Sequence, residues 1–127
     1  MTQVHVRAVR HDRIEETRTV LCDGAGTFTD GTLIYKDCEP YAGEDRITFG
    51  EDAVVIHHAG DTESVMMLKK KGIGTAEIRT PYGTMFCETK LLEYRRTPEE
   101  VYIEYQIFQD GGLVSHIALE YRMKAFV

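Results

Sequence analysis

A chain of 127 residues and 14.5 kDa is the size of one ordinary domain, in which folding buries roughly two-thirds of the unfolded chain's surface. With 43% hydrophobic and 28% charged residues it is too apolar to be disordered and too evenly charged to be a membrane protein. A net charge of −6 and a pI near 5.3 repel phosphate backbones, so no nucleic-acid partner is expected.

Period-two alternation dominates from one end of the chain to the other, which predicts an all-β domain spanning residues 1–127. The first strand places Val4, Val6 and Ala8 on one face, and His11-Asp12 is read as the turn into a second strand from Ile14 to Cys22. Asp23-Gly24-Ala25-Gly26 is read as the break that ends it. Asp30-Gly31 is a two-residue turn signal leading into Thr32 to Cys38, where Leu33 and Tyr35 share a face. Further strands are expected at Arg46 to Phe49, Ala53 to His58, Glu63 to Lys70, Ile73 to Thr80, Thr84 to Tyr94, Val101 to Phe108 and Val114 to Phe126. Thr97-Pro98-Glu99-Glu100 has the form of a helix start, but the strictly alternating segment after it limits that helix to one turn at most.

Such a succession of short strands joined by hairpin-length loops has no exposed edge when it closes, so an antiparallel meander closed into a β-barrel of about eight to ten strands is expected. Lys69-Lys70-Lys71 before Gly72 reads as a solvated turn. The longest uncharged apolar run, Ala53 to Ile56, is far short of a bilayer span, and the charged N-terminal segment lacks the apolar stretch of a signal peptide. A cytoplasmic protein with no membrane partner is the expectation. Cys22, Cys38 and Cys87 have neither framework nor zinc-knuckle spacing and are read as reduced thiols.

Several segments together resemble a family. They are Gly31-Thr32-Leu33-Ile34-Tyr35, the apolar strand into His58-Ala59-Gly60, and Met66-Met67-Leu68 closing at Gly72. Arg79-Thr80-Pro81-Tyr82-Gly83 follows, with Thr89 six residues after that glycine, then the strands Ile103-Glu104-Tyr105 and Ile117 to Tyr121. This pattern, from about residue 4 to residue 124, is similar to the YwiB-like bacterial proteins. The resemblance implies a lipocalin-like, calycin-type barrel and no assigned activity. His58-Ala59-Gly60 stands where an Arg-x-Gly pattern is expected, and with no Trp the chain lacks the Gly-x-Trp signature of true lipocalins.

The lumen of such a barrel is either filled by side chains or holds one small ligand. Adjacent strand residues point to opposite faces, so His57 and His58 cannot share a metal, and no spacing joins them to a third ligand; neither a metal nor a cofactor is expected. Glu88, Glu104 and Glu120 fall on the outer faces, and Ser64 and Ser115 lie in no nucleophile elbow. The leading expectation is a non-catalytic protein binding a small apolar or amphipathic molecule or a peptide, with Tyr35, His58, Met67, Thr80, Tyr82 and Thr89 about the lumen. The alternatives are a side-chain-filled barrel that acts through its surface or as a homodimer, and an enzyme with His58 as base. Thr80-Pro81-Tyr82-Gly83 is read as a rigid turn with positive φ at Gly83, standing at the barrel mouth.

Overall fold

The computed structural model describes residues 2–38 and 43–126. Its ten strands are β1 (Thr2–Asp12), β2 (Thr17–Thr29), β3 (Thr32–Asp37), β4 (Gly43–Phe49), β5 (Ala53–Gly60), β6 (Glu63–Lys69), β7 (Gly74–Thr80), β8 (Gly83–Arg96), β9 (Glu100–Gln109) and β10 (Gly112–Ala125). Each pairs antiparallel with its neighbour in sequence, and β10 returns to β1, giving a closed, lipocalin-like meander with no free sheet edge. Among the described residues no helix is long and apolar enough to cross a membrane.

The inward face follows the alternation. Val6, Leu33, Ile47, Val54, Leu68, Ile103 and Ile117 are all but inaccessible and converge from most of the strands. At about 0.8 kcal/mol per buried methylene this lining is the main force holding the barrel closed. Asp30-Gly31 (φ 50° and 79°) and Asp110-Gly111 (φ 51° and 81°) form hairpin turns with both central residues at positive φ, the handedness that matches strand twist.

The first hairpin departs from the expected boundaries in two places. Strand β1 runs on through His11 and Asp12, and the reversal falls at residues 13–16, where the Asp12 carboxylate accepts the N–H groups of Ile14 and Glu15 and Glu16 adopts φ 57°. Asp23 to Gly26 does not break β2, which continues to Thr29. There glycine answers a close approach: a Cβ on Gly26 would lie 2.6 Å from Val6 Cγ2 and 2.8 Å from the Ile34 carbonyl oxygen. A bulge opposite Ala8 and Val9 buries both Leu21 and Cys22, so Cys22 lies inside the strand and not at its end. Burial pushes the Cys22 thiol up to about 11, leaving it protonated and inert. Thr97 caps a tight turn, its hydroxyl accepting the Glu100 N–H, and no helix forms there.

The meander sends alternate turns to opposite ends. One end is closed by Phe28 and Phe49, from which the ring contacts run inward through Tyr121 to Tyr35, with successive centroids 6.0–6.4 Å apart. Tyr94 and Arg96, from β8 across the barrel, donate to the carbonyls of Gly50 and Phe49 and tie that end shut. The other end carries the β1–β2, β5–β6, β7–β8 and β9–β10 connections, and among the described residues the lumen is open there.

Candidate functional site

At the open end a cavity of about 390 Å³ enters the barrel. Leu21, Ile56, Met66, Ile78, Ile107, Ile117 and Leu119 make its walls apolar, while Arg10, Asp37, Asp45, His58, Ser64 and Ser115 bring polar groups to it. Strand register explains the polar cluster. Tyr35, Asp45, His58 and Ser64 are direct partners across β3, β4, β5 and β6, so their side chains stand in one inward row.

Asp37 is one inward step nearer the mouth, paired with Gly43, which in turn pairs with Gly60. The space over Gly43 is taken by its neighbours: a Cβ there would lie 3.0 Å from His58 Cε1 and 2.5 Å from the Ala59 carbonyl oxygen. With no side chain in the way, His58 and Asp37 meet over the glycine. His58 Nδ1 lies 2.6 Å from Asp45 Oδ1, to which it donates, and 3.1 Å from Asp37 Oδ2. The Asp37 side chain is 1% exposed, and among the described residues neither of its oxygens has a hydrogen-bonding partner in good geometry; the same holds for the Tyr35 hydroxyl beside it. Burial, with Asp45 adding to it, pushes the Asp37 carboxyl up to about 9, so it keeps its proton at neutral pH. Burial likewise raises the Tyr35 phenol well above its ordinary value, with Tyr121, Asp45 and Asp37 contributing in that order.

The structure places the residues singled out from the sequence in different parts of the barrel. His58 lines the cavity, and Tyr35 is 2% exposed within the row beneath the mouth. Met67 faces outward, and its neighbour Met66 lines the cavity instead. Thr80 and Tyr82 stand on the rim of the open end. The Thr80 hydroxyl accepts the Tyr82 N–H and donates to the Gly83 carbonyl, which completes the turn, while Gly83 adopts φ 139° and the Tyr82 side chain is fully exposed. Thr89 is buried and donates to the Met67 carbonyl at 2.8 Å, its hydroxyl occupying the space that Gly74 leaves open. Backbone thus satisfies both threonines.

Asp37 and Asp45 escaped the sequence reading. The signal was present: each carries a carboxylate on the same parity as buried apolar neighbours, Leu33 and Tyr35 for one, Ile47 and Phe49 for the other. The three residues lie on three different strands, which no local spacing pattern reveals.

The chain matches the protein family described as Domain of unknown function (DUF1934) over residues 4–121. No curated protein matches it. Among solved structures the barrel is similar to the crystal structure of ywiB protein from Bacillus subtilis, at 13% sequence identity, with 96% of this chain and 90% of that chain covered and a TM-score of 0.60. At that identity the likeness concerns fold. The extent of the family match, over a closed ten-stranded barrel whose open mouth gathers Asp37, Asp45 and His58, places this chain in the DUF1934 family.

Proposed function

We propose that this barrel binds one small amphipathic molecule, its apolar body lying along Leu21, Ile56, Met66 and Ile117 and its polar end at Asp37, Asp45 and His58. The observation that carries this reading is the shape of the lumen. Aromatic side chains fill one end, whereas the other keeps a cavity of about 390 Å³ with apolar walls and a few convergent polar groups, the form small-molecule sites take. Among the described residues the buried Asp37 carboxyl at the mouth of that cavity makes no well-formed hydrogen bond, and an unsatisfied buried polar group costs about 1–3 kcal/mol, a cost that a ligand's polar end would offset. The test is titration with the neutral fluorophore N-phenyl-1-naphthylamine. Uptake of one probe per chain, abolished when Ile56→Trp fills the cavity, supports the reading; no uptake, or uptake indifferent to that substitution, refutes it.

One observation favours a second reading. Asp45, His58 and Ser64 follow one another in register, and the Nδ1 contact to Asp45 is the orienting bond a histidine base requires, so acid–base or nucleophilic chemistry fits the same cleft. Covalent labelling of Ser64 by a fluorophosphonate, lost in His58→Gln, is the result expected of it.

A further inference from the structure

Asp37, Asp45 and His58 converge at the mouth of the lumen in an arrangement that suits a bound ion. One atom from each comes within 4.8 Å of the other two, a spacing at which one ion can touch all three. The imidazole Nδ1 already sits 2.6 and 3.1 Å from the carboxylate oxygens. Ligand atoms around a tetrahedral ion at about 2.0–2.2 Å stand roughly 3.3–3.6 Å apart, inside the 4.8 Å that bounds the separations of these three atoms. Two further observations point to a ligand: among the described residues the 1% exposed Asp37 side chain makes no well-formed hydrogen bond through either oxygen, and neither does the buried Tyr35 hydroxyl next to Asp45 in the register row.

We propose that Asp37, Asp45 and His58 bind one divalent transition-metal ion at the open mouth of the barrel, through two carboxylate oxygens and the imidazole Nδ1, the ion displacing the Asp37 and Nδ1 protons to solvent. An imidazole nitrogen beside two carboxylates selects zinc, manganese or iron over magnesium and calcium, which prefer oxygen throughout. Three protein ligands leave at least one coordination position open, and in this barrel it faces the apolar cavity, where a bound molecule can fill it. Gly43 is part of the design, since the ring and the Asp37 carboxylate share the space over it. The ion site rests on the reading of this mouth as the ligand-binding end of the lumen, and the two are separable by experiment.

The full chain is freed of metal with a chelator and titrated with zinc chloride by calorimetry, alongside Asp37→Asn, Asp45→Asn, His58→Gln and, as control, His57→Gln. Circular dichroism monitors folding of each variant. One zinc per chain is expected, weakened at least about tenfold by each of the first three changes and unaffected by the fourth. Zinc is also expected to shift the ¹⁵N resonance of His58 Nδ1 in the unmodified protein, a readout that does not depend on any variant folding. Absence of both heat and shift overturns the proposal, as does zinc affinity unchanged in Asp37→Asn and Asp45→Asn. Uptake of N-phenyl-1-naphthylamine is followed in the same samples. Probe uptake without zinc binding removes the ion site and leaves the lumen reading standing; zinc binding with the expected variant pattern and no probe uptake does the reverse.

Discussion

Replacing Asp37 by Asn tests the electrostatics of the mouth directly. The Asp37 carboxyl titrates at about 9 in the folded barrel against 3.8 when solvated, chiefly because it is buried, so folding takes up a proton throughout that interval. An acid raised in the folded state makes stability fall as pH rises, because above 3.8 the unfolded chain sheds the proton that the folded chain retains. Metal-free protein therefore loses stability through this group as pH rises from 5 to 8. Asn has the same shape, is neutral at every pH, and carries no such dependence. Urea denaturation of both proteins in chelator at pH 5, 6, 7 and 8 measures the difference, from which groups remote from residue 37 cancel. The variant's margin over the parent is expected to grow steadily from pH 5 to pH 8. Parallel stability curves would refute the burial argument.

Thr89→Val is expected to destabilise by about 0.5–1.5 kcal/mol in chemical denaturation, because it removes the hydrogen bond from the buried hydroxyl to the Met67 carbonyl. Gly83→Val should lower the denaturation midpoint more than His57→Ala: the turn holds Gly83 at φ 139°, which a branched residue adopts only under strain, and His57 faces outward. Gly43→Ala should displace the His58 ring and lower both probe uptake and stability, since the added carbon would lie 3.0 Å from Cε1 and closer still to the Ala59 carbonyl; unchanged His58 resonances would count against this packing.

Most of the fold was legible in the alternation. Val101, Ile103, Tyr105 and Ile107 face inward as parity demands, and so do Ile117, Leu119, Tyr121 and Met123. Closure was legible too, as the economical end of an antiparallel meander. The misreading at Asp23 to Gly26 has a physical cause. Glycine signals a turn and a close backbone approach with the same letter, and only the third dimension, here Val6 and Ile34 crowding Gly26, says which. The site was half legible. Parity put Tyr35 and His58 inside, but Met66 and Met67 are equally apolar, and only pairing from Glu63 onward decides which of them faces the lumen. Asp45 was lost because the strand, expected to begin at Arg46, begins at Gly43, where glycine weakens the strand signal. Asp37 meets His58 only through the register of β3, β4 and β5, a relation no sequence window contains.

The central claim is that the open lumen holds a small molecule, and native mass spectrometry of the protein isolated from its own cells tests it most directly. The account predicts a fraction of chains heavier than the sequence mass by one small molecule, released on denaturation and absent from Ile56→Trp prepared in the same way. A single species at the bare chain mass, or an adduct that persists unchanged in Ile56→Trp, would contradict it.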